Sequence, residues 1–410
     1  MSYHFLLDLA LILISTKVLG LVTKKFSLPQ VVGALLAGLV LGPAVLNILH
    51  ETDFILQLSE LGVIVLMFTA GLEADVHELK KSGKASFILA LFGVLIPLAG
   101  GFLVSYLFNR FNLLPVDTST PQLLQSIFMG VILTATSVSI TVETLKELGK
   151  LSSRAGNAIL GAAIIDDILG IIALTLITSF ADSSVNVTVV LAKILGFFVF
   201  SGVVGFVCYK LFKNWTAKAD KNRRRFVIAA FTLCLLLSFC AEEFFGVADI
   251  TGAFIAGLII SNTKRKHYIA SRFETLSYTL LSPIFFASIG LKVVLPKMTA
   301  SIVLFAIILS VVAILTKIIG CAFAGKLRGY TRKESLQIGA GMVSRGEVAL
   351  IVASKGAAVG LMPSALLGPV IVVVVVTTVI SPVLLKISFK DKTETENYQE
   401  SNMVSKSMAA

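Results

Sequence analysis

The chain has 410 residues, of which 56% are hydrophobic and 14% are charged, and its formal net charge is +11. Soluble domains contain about 25% charged residues, so this composition excludes an ordinary soluble protein and predicts an all-α polytopic membrane protein. We assign the excess of lysine and arginine to loops at the membrane surface, and we expect no nucleic-acid partner.

Thirteen hydrophobic segments follow one another along the chain, each close to the length that a bilayer requires. They lie near residues 3–23, 28–46, 55–72, 85–108, 121–145, 153–180, 190–212, 224–244, 247–262, 273–292, 299–325, 333–359 and 363–387. Together they predict one transmembrane domain over residues 1–389. The polar stretch 390–410 is predicted to be a disordered tail.

Basic residues are concentrated in alternate loops between these segments, including Lys24, Lys80, Lys150, Lys264 and Arg328. Positively charged loops remain on the cytoplasmic side of a membrane. The pattern therefore predicts that the amino terminus lies outside and the carboxyl terminus inside.

An internal repeat relates the two halves of the chain. The second segment reads VGALLAGLVLG from Val32 and the ninth reads TGAFIAGLIIS from Thr251. The same offset of 219 residues aligns Gly71 with Gly290 without a gap. An odd number of segments separates the partners, which predicts two inverted six-helix repeats, 3–180 and 224–387, with 190–212 as a linker helix. Inverted repeats are typical of transporters, whereas the Gly/Ala faces themselves fit either helix packing or a dimer interface.

The fifth segment of each half is interrupted at mid-depth by polar residues and glycines. The first contains TATSVSIT from Thr134, and the second contains GAGMVSRGEVAL from Gly339. Hydroxyl groups that bond to their own helix could explain one such segment, but not two at matched positions. We therefore predict two discontinuous helices that cross near the middle of the membrane.

The sixth segment carries Asp166 and Asp167 side by side, about 20 Å along its axis from Ser153. A charge at that depth costs at least ~2.5–3.5 kcal/mol, so each carboxylate must be protonated, paired or bound to a cation. Consecutive helical residues point about 100° apart, so the two aspartates can face different partners. Lys317 in the eleventh segment could pair with one of them or extend toward the inner surface.

The motifs TATSVSIT, IIDDILG, LTKIIG and VSRGEVAL together resemble the monovalent cation:proton antiporter-2 family. Within that family the chain is most similar to the bacterial NapA- and GerN-type sodium/proton antiporters, which implies a location in the plasma membrane of a bacterium. The resemblance spans all thirteen segments. It implies that Asp167 binds the cation, Na⁺, or protons, and that Asp166 pairs with Lys317.

The same resemblance implies roles for both interrupted helices. Thr136 and Ser137 of the first would contribute to the cation site, and Arg345 and Glu347 of the second would stabilise the unwound backbone. The family fold further implies a homodimer in which a core domain moves like an elevator against a dimer domain. No cofactor is expected.

These features predict a transporter that exchanges Na⁺ or Li⁺ for H⁺ by alternating access. One proton on Asp167 and a second on Lys317 would make the exchange electrogenic. Oxygen ligands do not fix the size of the ion, so K⁺/H⁺ or mixed Na⁺/K⁺ exchange, or K⁺ efflux by a protein of the same family, remains the alternative. A cation channel is a remote alternative. An enzyme is not predicted, because the paired carboxylates are adjacent on one helix and all four histidines lie at segment ends or in loops.

Overall fold

A computed structural model describes residues 3–26, 28–114, 121–181, 186–218, 224–294, 298–358 and 360–390. Within these ranges the regular structure is entirely helical. The α-helices are α1 (His4–Lys25), α2 (Gln30–Leu41), α3 (Asp53–Glu73), α4 (Val76–Arg110), α5 (Gln122–Thr134), α6 (Val138–Glu147), α7 (Arg154–Ala181), α8 (Val187–Lys218), α9 (Arg224–Phe239), α10 (Asp249–Ser261), α11 (Lys266–Leu276), α12 (Ser282–Leu291), α13 (Ala300–Leu327), α14 (Arg332–Gly341), α15 (Glu347–Ala358) and α16 (Leu367–Phe389).

Each of the thirteen predicted segments corresponds to helical structure, which confirms an all-α polytopic membrane protein. The fifth segment is divided into α5 and α6, and the twelfth into α14 and α15. The tenth consists of α11 and α12 joined by a π-helical turn, Ser277–Leu281. Among the described residues, nine helical stretches have the length and composition to cross a membrane. The predicted tail lies outside the described residues apart from Lys390.

Two of the predicted segments are shorter than a full span, because α2 has 12 residues and α10 has 13. Both are rich in glycine and alanine, and both pack closely against a neighbouring helix. A Cβ atom added at Gly38 of α2 would lie 1.9 Å from the carbonyl oxygen of Ala287 in α12. One added at Gly257 of α10 would lie 2.2 Å from the carbonyl oxygen of Phe68 in α3. These faces therefore pack within the chain, which favours the packing interpretation of the Gly/Ala pattern.

The longest helix, α4, has 35 residues and packs against α5, α7 and α13. Asp75 begins it by accepting hydrogen bonds from the backbone N–H groups of His77 and Glu78, a normal N-terminal cap. Gly100 of α4 allows a close approach to α13, because an added Cβ would lie 2.6 Å from the side chain of Thr316. This packing brings α7 and α13, which carry the predicted charged pair, to the same helix.

Candidate functional site

The first interruption lies between the end of α5 at Thr134 and the start of α6 at Val138. Thr136 and Ser137 lie in this gap and are buried. The Thr136 hydroxyl has no hydrogen-bond partner among the described residues. The Ser137 hydroxyl lies 3.2 Å from that of Ser139. The gap thus provides a buried hydroxyl that is available to a ligand.

The second interruption lies between Gly341 and Glu347, and it crosses the first. The Ser137 backbone N–H donates to the Ser344 carbonyl at 2.7 Å. In return the Ser344 hydroxyl donates to the Ser137 carbonyl at 2.8 Å, and the Thr141 hydroxyl donates to the Gly341 carbonyl at 2.7 Å. Non-helical backbone is tolerated at membrane depth only where protein or a cavity satisfies it. Here the two interruptions satisfy each other.

Arg345 lies within the second interruption and is 0% exposed. Its Nη2 donates to the carbonyls of Leu133 and Ala313 at 2.7 Å and 3.2 Å, and its Nη1 donates to the Val343 carbonyl at 3.0 Å. Leu133 is in the last turn of α5, where helix carbonyls lack helical donors and carry partial negative charge. Arg345 thus donates to one carbonyl of its own interruption and to carbonyls of α5 and α13. Glu347 begins α15, but its side chain lies outside the described part of the chain, so its role stays a prediction.

Asp166 of α7 and Lys317 of α13 form an ion pair in the protein interior. Lys317 Nζ lies 3.1 Å from Asp166 Oδ1 and 3.2 Å from Oδ2. The two side chains are 1% and 0% exposed, respectively, so Lys317 does not extend to the membrane surface. Gly93 of α4 borders the pair, since an added Cβ would lie 3.6 Å from the aspartate and 3.7 Å from the ammonium group.

Asp167 is half-buried, whereas Asp166 is 2% exposed. This difference agrees with the angle of about 100° between consecutive helical residues. Nearby residues of α7, namely Ile168 and Ile171, pack against an apolar cluster that includes Phe197 of α8. Asp166 thus faces α13, while Asp167 occupies a more accessible position on the same helix.

Among the described residues no group of three or more histidine, cysteine, aspartate or glutamate side chains could hold a metal ion. The oxygen atoms at the crossing are hydroxyls and backbone carbonyls, and the Asp166 carboxylate lies near Arg345. Oxygen atoms of this kind are the ligands that hard cations prefer.

Glu143 of α6 was not singled out from the sequence. It lines a cavity of about 830 Å³ at the carboxyl-terminal end of α6, together with Lys17 of α1, Gln30 of α2 and Glu274 of α11. Neither Asp166 nor Asp167 lines this cavity. The sequence feature that could have identified Glu143 is a carboxylate within the stretch ITVETL of a membrane segment.

Residues in the last turn of α6 also contact neighbouring helices. The Glu147 carboxylate accepts hydrogen bonds from the backbone N–H of Gln30, both at 2.8 Å. Lys146 Nζ lies 3.3 Å from Glu73 Oε1 at the end of α3. These contacts fix the end of α6 that lies away from the crossing.

Over residues 10–390 the chain matches the family described as sodium/hydrogen exchanger, transmembrane. It is 38% identical over 395 residues to the Na⁺/H⁺-K⁺ antiporter GerN of Bacillus cereus, covering 96% of this chain and 98% of GerN. It is 37% identical over 387 residues to a Na⁺/H⁺ antiporter of Enterococcus hirae, covering 93% of this chain and 97% of that protein.

The fold is similar to that of the sodium proton antiporter MjNhaP1 from Methanocaldococcus jannaschii, with a TM-score of 0.66. The identity is 19%, and the match covers 93% of this chain and 97% of MjNhaP1, so this likeness concerns the fold alone. The family resemblance predicted from the motifs is confirmed by the matches in sequence. Since those matches run over nearly its whole length, this chain belongs to the sodium/hydrogen exchanger family.

Proposed function

We propose that this protein is a secondary active transporter, and not an enzyme, that exchanges Na⁺ or Li⁺ for H⁺ across the plasma membrane of a bacterium. The observation that carries the proposal is the crossing of the two interrupted helices beside a buried ion pair. Arg345 connects the two features, because its guanidinium reaches Ala313, one helical turn of α13 from Lys317. GerN and the Enterococcus hirae protein are both named as antiporters of Na⁺ and H⁺, which supports the same activity.

Asp167 is the carboxylate to which we assign both the cation and the proton, with Thr136 and Ser137 as further ligands. A bare carboxylate at membrane depth is unfavourable, so this group is stable when it holds a proton or a cation. The two compete for one site. Exposure of that site to each side in turn then couples the fluxes, and no separate coupling element is needed.

Electrogenic exchange follows if Lys317 also carries a proton through the cycle. Its ammonium group has Asp166 as its sole hydrogen-bond partner among the described residues. Loss of that contact would leave a buried charge, which favours release of the proton. Equal and opposite proton and sodium currents, with no net charge under voltage clamp, would refute this part of the proposal.

The two inverted repeats are supported by contacts that are exchanged by the offset of 219 residues. Gly38 approaches Ala287, and its counterpart Gly257 approaches Phe68, the counterpart of Ala287. Two inverted halves around a central site permit alternating access by rocking or sliding of one unit. We propose an elevator-like movement within a homodimer, with the amino terminus outside.

A second candidate is exchange of K⁺, alone or beside Na⁺. It is favoured by one observation, the name of GerN as a Na⁺/H⁺-K⁺ antiporter. The donor types at the crossing suit Na⁺, Li⁺ and K⁺ alike, so the geometry does not exclude it.

The test uses everted membrane vesicles from cells that lack their own antiporters. Respiration acidifies the vesicles, and a fluorescent probe follows the collapse of the pH gradient when Na⁺, Li⁺ or K⁺ is added. We expect Na⁺ or Li⁺ to collapse the gradient with the wild type and Asp167→Asn to abolish the response. Glu60→Gln, at an exposed carboxylate of α3, is the control and should transport normally.

Three outcomes are decisive. A response to K⁺ alone would leave the site in place and replace Na⁺ by K⁺ as the cargo. Full activity of Asp167→Asn would remove Asp167 from the site. The absence of a response to any of the three cations between about pH 6 and 9, near the titration range of perturbed carboxylates, would overturn the antiport proposal.

A further inference from the structure

Two hydroxyl groups on one face of α16 contact the second interrupted segment. The Thr378 hydroxyl donates to the main-chain carbonyl of Arg345. One turn later, the Ser381 hydroxyl donates to the carbonyl of Ala340 at 3.4 Å. Both side chains are buried, with 2% and 1% exposed. Helix α16 thus contacts the interruption and the last turn of the helix before it.

The neighbouring residue of α16 behaves differently. Thr377 is equally buried, yet its hydroxyl donates to the carbonyls of Val373 and Val374 in its own helix, at 2.7 Å and 3.2 Å. Such bonds to the preceding turn are the ordinary behaviour of threonine in an apolar helix. Of the two adjacent threonines, only Thr378 therefore contacts another segment.

The Arg345 carbonyl lies in the interruption, before α15 begins at Glu347, and it accepts a hydrogen bond from Thr378. An unpaired buried carbonyl would be costly, so Thr378 determines the direction in which this peptide group points. The guanidinium of Arg345 is held separately, by Leu133 and Ala313. With both ends of the residue fixed, the peptide between Arg345 and Gly346 has a defined orientation.

Gly346, which follows that carbonyl, packs against the hydroxyl of Ser137. A Cβ atom added at Gly346 would lie 2.8 Å from Ser137 Oγ, so glycine backbone forms part of the surface against which this hydroxyl packs. A change in the orientation of the Arg345 carbonyl would move Gly346 and displace the side chain of Ser137. A change at the contact between α16 and Arg345 would therefore also alter the first interruption, between α5 and α6.

We infer that Thr378 is a positioning residue for the ion site. Its hydroxyl fixes the Arg345 carbonyl and, through Gly346, sets the position of the Ser137 hydroxyl. The inference rests on the proposed function, in which Ser137 is a cation ligand. It adds a residue of the thirteenth segment, whose sequence VVVVVTTVIS otherwise shows only a membrane helix.

The test compares three variants, two of which replace threonine by valine at nearly equal volume. Thr378→Val removes the hydroxyl, Thr378→Ser retains it, and Thr377→Val removes the adjacent hydroxyl that serves its own helix. In everted vesicles the apparent KM for Na⁺ and the maximal rate are measured separately, together with the ratio of Li⁺ to Na⁺ affinity. Immunoblots of the membranes give the amount of each variant.

We expect Thr378→Val to raise the KM for Na⁺ about tenfold, equivalent to about 1.4 kcal/mol of binding free energy, and to alter the Li⁺ to Na⁺ ratio. Thr378→Ser and Thr377→Val should both resemble the wild type. A loss of packing alone would lower the amount of protein or the maximal rate and would leave the ion preference unchanged.

An unchanged KM for Thr378→Val, or an equal increase for Thr377→Val, would overturn the inference while leaving the antiport proposal intact. If Thr378→Val does not accumulate in the membrane, Thr378→Ala is measured in its place and the same expectations apply. A wild type that exchanges none of Na⁺, Li⁺ and K⁺ would instead defeat the proposed function, and the inference with it.

Discussion

A lysine and an aspartate that are both almost fully buried must be considered together. Lys317 and Asp166 lie 151 residues apart and form their contact at 3.1 Å. Removing charges from water costs several kcal/mol per ion, and their mutual attraction offsets this only when the geometry is good. The two charges therefore stabilise each other, and burying either charge without its partner would destabilise the protein.

This reasoning predicts the stability of variants at the pair. Asp166→Leu leaves an uncompensated ammonium group and should lower the free energy of unfolding by about 3–5 kcal/mol. The double variant Asp166→Leu with Lys317→Met should recover most of this loss, because both charges are then replaced by apolar groups. Thermal denaturation of the purified protein in detergent measures both effects.

The same double variant should be inactive in transport, so recovered stability would not bring recovered exchange. Additive destabilisation in the double variant, with no recovery, would show that the two charges do not interact as the structure describes.

The residues themselves indicated most of this site, but not all of its contacts. Adjacent carboxylates in an apolar segment are costly wherever that segment packs, so Asp166 and Asp167 could be recognised from the sequence. Which aspartate faces Lys317 was open from residue spacing alone, because that depends on how α7 is rotated against α13. The family resemblance assigned the pair to Asp166, and the structure has that contact.

At the scale of helices, close approach depends on glycines that face backbone of a neighbouring helix. Gly257 of α10 faces Phe68, and its counterpart Gly38 of α2 faces Ala287. Small residues allow this approach, and packing contacts then hold helices together within a membrane, where lipid is as apolar as the side chains. The two short helices α2 and α10 are thereby held close to α12 and α3, respectively.

Alanine substitution should reveal which glycines have this role. In Gly257→Ala the new methyl group would meet the carbonyl of Phe68, so we expect a loss of about 1–3 kcal/mol in the free energy of unfolding. Gly38→Ala should behave similarly because its contact is equivalent. The measurement is the midpoint of thermal unfolding in detergent.

Gly202 of α8 provides the matched control, because no atom lies within 4 Å of an added Cβ. Gly202→Ala should be neutral or should stabilise the protein by about 0.5–1 kcal/mol, the usual gain within a helix. Equal effects at Gly202 and Gly257 would contradict the assigned packing.

At the scale of the whole molecule, the distribution of charge predicts orientation. Lysine and arginine are concentrated in alternate loops, and thirteen segments then place the two termini on opposite sides. Two exposed positions lie on opposite sides in this arrangement, Asn186 before α8 and Lys264 after α10.

Single cysteines at these positions test the orientation in a background where the four native cysteines are replaced. A membrane-impermeant maleimide should label Asn186→Cys in intact cells and Lys264→Cys only in everted vesicles. Labelling of Lys264→Cys in intact cells would reverse the assigned orientation. Equal labelling of both positions in intact cells would rule out the predicted number of crossings between them.

The amino-acid sequence by itself determined the membrane character, the positions of the segments and the two interruptions. These properties follow from local composition, since hydrophobic length and the cost of polar groups in lipid act within each segment. The sequence also identified the charged residues that such an environment makes expensive.

Only the tertiary structure decided which groups form hydrogen bonds with these charged residues and with the interrupted backbone. Arg345 donates to carbonyls of Leu133 and Ala313, and Thr378 donates to Arg345 itself. Partners of this kind belong to segments that are distant in the chain, such as Ser344 and Ser137, which lie 207 residues apart. Carbonyl groups are present at every residue, so their pairing leaves no mark on the sequence and is set by how the helices cross.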